Sequence, residues 1–196
     1  MFTIGIVAFE DAEELDFVGP WEVFTMAAMG VSDMKVLLVA ETTEPVRCAK
    51  GLRVLPDETF ESAPELDVIV IPGGQGSRVQ MNNPAMLNFI TSRAPRCRWV
   101  TSVCTGSLIL RSAGVATGKR VTTHWTTIDT LRKLGDVEVL ENTRYVRDEN
   151  VVTAAGVSAG IDMSLWLVGQ LFDPAHARRT QRLMEYDPAP PYAAEV

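Results

Sequence analysis

The chain has 196 residues, of which 46% are hydrophobic and 22% charged, a composition typical of one globular domain. Its formal net charge of −7 argues against a nucleic-acid-binding surface, because such surfaces usually carry clustered Lys and Arg. It has no apolar run of membrane-spanning length, and residues 1–14 lack the basic and long apolar regions of a signal peptide, so we expect neither a membrane span nor export.

Strand-like and helix-like segments alternate in the first half of the chain. Runs rich in Val, Ile and other apolar residues predict strands at residues 3–9, 35–40, 67–71 and 98–103. A helix is predicted to begin at Pro20, because proline suits a first helical turn, and to end near Gly30. Residues 84–93 predict a second helix, and residues 47–55 predict a short excursion between strands.

The second half of the chain adds a hairpin and two helices. Short strands are predicted at residues 137–140, 144–147 and 151–154, the last two forming a hairpin at the sheet margin. Helices are predicted at residues 160–172 and 174–185, and the prolines of residues 187–192 predict an extended tail. Residues 1–196 are therefore predicted to form a single α/β domain, a three-layer sandwich with a mostly parallel sheet and flanking helices.

Cys104 lies where a strand-like segment changes into a helix-like one, which is the layout of a nucleophile elbow. The small residues Thr105, Gly106 and Ser107 would leave room there for a substrate. The unpaired N–H groups and the dipole of the following helix would stabilise a thiolate, so we expect a lowered thiol pKa. The alternative is a buried structural cysteine at the end of a strand.

Three loops are expected to meet at this elbow, because sites in open parallel sheets form at the carboxyl ends of strands. They are the loops after Phe9, after Ile71 and at Cys104. In the second loop, Gly73 and Gly74 could bring backbone N–H groups to a ligand and stabilise developing negative charge. A plain turn is the alternative.

The loop after the first predicted strand is rich in carboxylates, most of which are expected to be solvated: Glu10, Asp11, Glu13, Glu14 and Asp16. Asp16 is flanked by Leu15 and Phe17 and lies just before Gly19 and Pro20. It is therefore the acid predicted to point inward as the chain turns into its helix. A helix-capping aspartate is the alternative.

The sequence predicts neither a nucleotide cofactor nor a metal. Residues 74–76 do not complete a dinucleotide fingerprint, and residues 114–120 place Arg where a phosphate loop requires Ser or Thr. His124 and His176 lie far apart in the sequence, which argues against structural zinc. The cysteines form an odd count without a C-x-x-C pair, which fits a reducing cytoplasm: Cys48, Cys97 and Cys104.

Several motifs together resemble the ThiJ/PfpI superfamily, whose fold is similar to that of the class I glutamine amidotransferases. They are LDFVGPWEVF at residues 15–24, IPGG at 71–74, VCTGS at 103–107 and TTHW at 122–125. The likeness covers nearly the whole chain, and within the superfamily it is greatest to the isocyanide hydratases. The resemblance implies that Cys104 is the nucleophile and Asp16 the acid beside it, with Thr105 and Gly74 in the surrounding site.

Departures from the family patterns narrow the expected chemistry. Peptidase members place a histidine directly after the nucleophile, whereas this chain has Thr105, so peptidase activity is not expected. His124 belongs to a strand-end motif and is expected to be packed or hydrogen-bonded rather than a base. Residues 153–157 carry alanines where the hydratases usually have a run of glycines, which bears on pocket shape and substrate.

The resemblance implies hydration of an isocyanide to an N-substituted formamide through a thioimidate, without a cofactor. Two alternatives stay open: a non-catalytic redox or metabolite sensor, and glyoxalase-type hydration of small dicarbonyls. Transcriptional activators in the superfamily carry a DNA-binding domain after this one, whereas the sequence ends at Val196, so no nucleic-acid partner is expected. The implied partners are a small-molecule substrate and a second copy of the chain.

Overall fold

The structure is a computed structural model and describes residues 2–190. Its strands are β1 (Phe2–Val7), β2 (Met34–Ala40), β3 (Val46–Arg47), β4 (Arg53–Val54), β5 (Glu58–Thr59), β6 (Val68–Ile71), β7 (Trp99–Val103), β8 (Arg120–Val121), β9 (Glu138–Val139), β10 (Tyr145–Asp148) and β11 (Val151–Ala154). Seven of them form the central sheet in the order β10-β11-β7-β6-β1-β2-β5. Every neighbouring pair in this sheet is parallel except β10 and β11.

The helices are α1 (Glu14–Ala28), α2 (Ser77–Gln80), α3 (Pro84–Arg93), α4 (Gly106–Ser112), α5 (Ile128–Leu134), α6 (Ala159–Leu171) and α7 (Pro174–Leu183), with short 3-10 turns at Ala94–Arg96 and Trp125–Thr127. Helices α1, α6 and α7 pack together, and α4 packs with α2 and α3. All residues of β6 and β7 are buried, which requires cover on both faces of the sheet. The predicted α/β sandwich with flanking helices is confirmed.

Most elements lie where the sequence predicts them. Helix α3 and strand β11 have the predicted bounds, and β10 pairs with β11 as a hairpin at the sheet margin. Residues 47–55 form more than an excursion, because β3 and β4 pair as a separate two-stranded hairpin. The strand predicted at residues 137–140 is the short β9, which pairs with β8 outside the central sheet.

The prediction that the first helix begins at Pro20 is wrong. Helix α1 begins at Glu14, and Pro20 lies inside it. Both Gly19 and Pro20 are buried, and a Cβ atom added to Gly19 would lie 3.0 Å from Ile161 Cγ1 in α6. The Gly-Pro pair therefore allows α1 to pack closely on α6, and this burial offsets the backbone hydrogen bond that proline cannot donate.

The two ends of the chain are described in part. Residues 187–190 contain neither helix nor strand, which agrees with the predicted extended tail, and residues 191 and 192 of that prediction lie outside the described residues. Within residues 2–190, none of the helices is long and apolar enough to cross a membrane.

Candidate active site

Cys104 occupies a sharp turn between the buried strand β7 and helix α4. Its φ angle is +56°, in the left-handed region that residues other than glycine rarely adopt, and its side chain is 6% exposed. A Cβ atom on Gly106 would lie 2.2 Å from the carbonyl oxygen of Ile71. Gly106 therefore lets the elbow approach the end of β6, rather than leaving room for a substrate as the sequence suggested.

Asp16 lies in the first turn of α1 and points into the protein, as predicted. Its side chain is fully buried, and Oδ2 accepts a hydrogen bond of 2.8 Å from the N–H of Gly73. The other carboxyl oxygen, Oδ1, is buried without a hydrogen-bond partner of normal geometry among the described residues. Asp16 is thus a buried acid rather than a helix cap, and only one of its two carboxyl oxygens accepts a hydrogen bond from the described residues.

Burial sets the acidity of this carboxyl. Loss of solvent raises the pKa of Asp16 to about 7, and the charge of Glu13 acts in the same direction. The hydrogen bond from the Gly73 N–H and the interaction with the Cys104 thiol lower this pKa, but burial outweighs them. Asp16 can therefore hold or release a proton near neutral pH, which is a property of a general acid or base.

The predicted fall in the thiol pKa of Cys104 is wrong. Burial, reinforced by the negative charge of Asp16, raises the pKa of this thiol to about 12. The backbone N–H groups of Thr105, at the start of α4, and of Val157, in the loop after β11, lower this pKa, but they are the weaker influence. The thiol and the carboxyl interact directly, so they titrate as a pair.

The three predicted loops meet at this pair. Ala12 and Gly74 form an isolated antiparallel bridge, and the N–H of Glu13 donates to the carbonyl of Gly73 at 2.9 Å. Through Gly73, the loop after β6 also holds the carboxyl of Asp16. The structure therefore brings the loops after β1 and β6 to the elbow at the carboxyl edge of the sheet.

Thr105 and Gly74 form a network beneath the elbow. The N–H of Gly74 donates to Thr105 Oγ1 at 3.0 Å, and the Thr105 hydroxyl donates to the carbonyl of Gly74 at 3.1 Å. The hydroxyl of Ser77 also donates to Thr105 Oγ1, at 2.9 Å. Since the Gly73 N–H is bonded to Asp16, both glycine amides donate within the protein rather than to a ligand, contrary to the sequence-based expectation.

Glycine is required at both of these positions by space. A Cβ atom on Gly73 would lie 2.4 Å from the backbone nitrogen of Thr105 and 2.9 Å from Asp16 Oδ2. Gly74 has a φ of +111°, and a Cβ atom there would lie 2.3 Å from the nitrogen of Glu13. The two glycines thus allow the β6 loop to contact both Asp16 and the elbow, which positions the carboxyl.

Two further residues contact Cys104 and were not predicted from the sequence. The Thr123 hydroxyl donates to the carbonyl of Cys104 at 3.0 Å, and Val157, whose N–H faces the sulfur, has a φ of +39°. A positive φ at a β-branched residue is rare, and no sequence pattern predicts it. Ser77 lies three residues after Gly74. This spacing is typical of turns, so it did not indicate that Ser77 belongs to the site.

His124 is half-buried and hydrogen-bonded, as the sequence predicted. Its Nδ1 atom is 2.8 Å from Thr126 Oγ1, and a Cβ atom on Gly156 would lie 2.5 Å from its ring. Burial lowers the pKa of His124. Within residues 2–190, no group of three His, Cys, Asp or Glu side chains is arranged to hold a metal ion.

Comparisons with known proteins show the family of this chain. Residues 3–170 match the model of the DJ-1/PfpI family. The chain is 43% identical to an isonitrile hydratase from Pseudomonas putida over 189 residues, which cover 96% of the chain and 80% of that protein. It is 28% identical to the glutathione-independent glyoxalase DJR-1.2 from Caenorhabditis elegans, with 84% of the chain and 86% of the relative covered.

Solved structures show the same fold. A THiJ/PfpI family protein from Pseudomonas syringae superposes with a TM-score of 0.91 at 36% identity, covering 100% of this chain and 79% of that one. Drosophila melanogaster DJ-1beta superposes with a TM-score of 0.84 at 20% identity, covering 95% and 99% of the two chains. The second likeness shows the fold alone.

Proposed function

Because this chain belongs to the DJ-1/PfpI family, we propose that it hydrates an isocyanide to an N-substituted formamide, with Cys104 as nucleophile. The observation that carries the proposal is the buried carboxyl of Asp16, whose pKa is raised to about 7, in direct interaction with the Cys104 thiol. The 43% identity to an isonitrile hydratase supports the choice of substrate class.

The reactive form of the pair is a thiolate beside a neutral carboxyl. It has the same total charge as a thiol beside a carboxylate, so one proton transfer from sulfur to Asp16 produces it without exchange with solvent. Cys104 Sγ then attacks the isocyanide carbon, and Asp16 donates its proton to that carbon as the S–C bond forms. The product is a thioimidate, with one hydrogen on carbon and Asp16 ionised.

Water completes the cycle through the same carboxyl. Asp16 takes a proton from water as the hydroxide adds to the thioimidate carbon, and this proton passes to the nitrogen. The new hydroxyl then returns its proton to Asp16 while the C–S bond breaks. The released product is an N-substituted formamide, and the thiolate and the neutral carboxyl are restored.

The remaining features of the proposal follow from this cycle and from the family. The net reaction adds water to the isocyanide, which is hydro-lyase chemistry. Because Asp16 carries out all the proton transfers, the proposed cycle needs neither metal nor cofactor. We place the protein in the cytoplasm and expect it to act as a homodimer. Gly73, Gly74 and Thr105 support the pair, because their backbone and hydroxyl groups position the Asp16 carboxyl and the elbow.

Incubation with methyl isocyanide tests the activity directly. Proton NMR should show the formyl hydrogen of N-methylformamide, formed in many-fold excess over the protein. The Cys104→Ala variant should form none above the rate in buffer, and Cys97→Ala, which removes a buried cysteine outside the site, should retain the activity. Full activity in Cys104→Ala would refute the proposed role of the thiol.

Dicarbonyl hydration is the second candidate function, because the chain is 28% identical to a glutathione-independent glyoxalase. In this reaction the thiolate would add to the aldehyde carbon, and the carboxyl would transfer the protons. Parallel assays with methylglyoxal and methyl isocyanide separate the two enzymes by their relative kcat/KM. A sensor without catalytic activity would turn over neither substrate, while its Cys104 would be oxidised selectively by peroxide.

A further inference from the structure

A cavity of about 530 Å³ lies next to the elbow, because Thr123 and Val157, which line it, both contact Cys104. Its lining includes residues of the loops after β8 and β11, and the segment that follows β9. The residues that matter for its chemistry are Thr123, His124, Trp125, Ile128, Asp129 and Val157. Its volume lies within the range of small-molecule sites.

Two of the residues that line this cavity also contact Cys104. Thr123 lines the cavity and donates to the carbonyl of Cys104 at 3.0 Å. Val157 lines it as well, and its N–H faces the sulfur. A group that is attached to a carbon bonded at Sγ and extends past Val157 would therefore enter this space, whereas Asp16 and the β6 loop do not line the cavity.

The outer wall carries an aromatic side chain that the core does not use. Trp125 is 78% exposed, and its ring lies 5.8 Å from that of His124 at an angle of 34°. Ligand pockets are lined mainly by hydrophobic and aromatic side chains, so the position of Trp125 on this wall is suited to binding. Ile128 adds an apolar surface. Three charged residues line the cavity: Glu141 pairs with Arg132 and Arg144 pairs with Asp162, whereas Asp129 forms no ion pair within residues 2–190.

We propose that this cavity holds the N-substituent of the isocyanide and selects aromatic substituents over small ones, with Trp125 as the specificity-determining residue. The inference rests on the proposed function, because it assigns the part of the substrate that does not react. Ring stacking on Trp125 stabilises a bound aryl group, and the carboxylate of Asp129 disfavours a substituent that carries a negative charge.

Substrate discrimination tests the assignment. The benzyl-to-methyl ratio of kcat/KM should be at least about tenfold in the unmodified protein and should fall about three- to tenfold in Trp125→Ala, mainly through KM for benzyl isocyanide. Met29→Ala is the matched control, because Met29 is an exposed apolar residue after the far end of α1, and it should leave the ratio unchanged. Asp129→Asn should raise the ratio for isocyanoacetate over methyl isocyanide.

The outcomes separate this inference from the function on which it rests. Turnover of methyl isocyanide without a benzyl preference, or with a preference unchanged in Trp125→Ala, overturns the inference and leaves the proposed function intact. The same holds if Trp125→Ala lowers the molecular mass in sedimentation instead, because Trp125 would then belong to an interface between copies. No turnover of either isocyanide overturns both.

Discussion

At the scale of single residues, Asp16 and Cys104 share one proton over a wide pH range. The pKa of Asp16 is raised to about 7 and that of Cys104 to about 12, so between these values the pair holds a single proton. Below pH 7 the pair holds two protons, and no thiolate forms. In the proposed mechanism the active form is the singly protonated pair, in the tautomer with the proton on the carboxyl.

The pH dependence of kcat/KM follows from this titration. We expect kcat/KM to rise about tenfold per pH unit below about pH 7 and to level off above it, because kcat/KM reports the protonation of the free enzyme. Initial rates with methyl isocyanide from pH 5 to pH 9 measure the profile. A rate that falls as the pH rises through 7 would contradict the assignment of the pair.

Replacement of Asp16 by Asn should remove the general acid and, with it, the inflection near pH 7 in the pH profile of kcat/KM. General acid–base groups contribute about 100- to 10,000-fold, so kcat/KM of Asp16→Asn should fall by at least about 100-fold and lose the rise near pH 7. An Asn oxygen can still accept from the Gly73 N–H, so the loop should keep its place. An unchanged pH profile in this variant would exclude Asp16 as the titrating group.

The same substitution should stabilise the fold. Because folding raises the pKa of Asp16 from about 4 to about 7, the folded state holds a proton that the unfolded state has lost, and stability falls as the pH rises between these values. Asp16→Asn should therefore gain roughly 2–4 kcal/mol of unfolding free energy at pH 8 and less at pH 5. Urea denaturation at both pH values measures this gain, with exposed Asp33→Asn as a control that should show none.

The sequence singled out Cys104 and Asp16, which the structure brings into contact, but it did not predict their electrostatics. A cysteine between strand-like and helix-like segments and an acid between Leu15 and Phe17 were sufficient to select Cys104 and Asp16. The raised pKa of the thiol could not be predicted. The sequence shows that a helix follows Cys104, but it does not show how deeply the thiol is buried or that Asp16, far away in the sequence, lies next to it. The role of Val157 could not be predicted either, because its contact with the sulfur depends on the conformation of the loop after β11.

At the scale of secondary structure, helix α6 contacts the end of β7 through a glycine. A Cβ atom on Gly160 would lie 2.9 Å from Val103 Cγ2, whereas one on Gly169, in the same helix, would lie 3.6 Å from Ala177 Cβ. Gly160→Ala should lose about 1–3 kcal/mol of stability through overpacking. Gly169→Ala should gain up to about 1 kcal/mol, because alanine favours the helix. Urea midpoints of the two variants test the contrast, and equal effects would contradict the packing argument.

Prediction of the elements succeeded where local pattern and tertiary role agree. The apolar runs of β1, β6 and β7 are buried on both faces, so their composition alone reveals them. The start of α1 was missed because Pro20, a common first residue of helices, is used here inside a helix for packing on α6. The two-residue strands β8 and β9 pair across 16 residues or more of chain, which local sequence cannot show.

At the scale of the whole molecule, the three cysteines lie in separate parts of the fold and all are buried and free. Burial raises the pKa of Cys48 and of Cys97 to about 11. We therefore expect a thiol reagent such as DTNB to react slowly with the native protein at pH 7 and to label three thiols in guanidinium chloride. Fewer than three in denaturant, recovered by a reductant, would contradict the free-cysteine assignment.

The measurement that tests the central claim most directly is the mass of the protein during turnover. Acid quenching within the first turnover with benzyl isocyanide should reveal an adduct equal to the mass of the substrate, and peptide analysis should place it on Cys104 rather than on Cys48 or Cys97. The adduct should decay as N-benzylformamide appears. Formamide production without an adduct, or an adduct on another cysteine, would contradict covalent catalysis by the Cys104 and Asp16 pair.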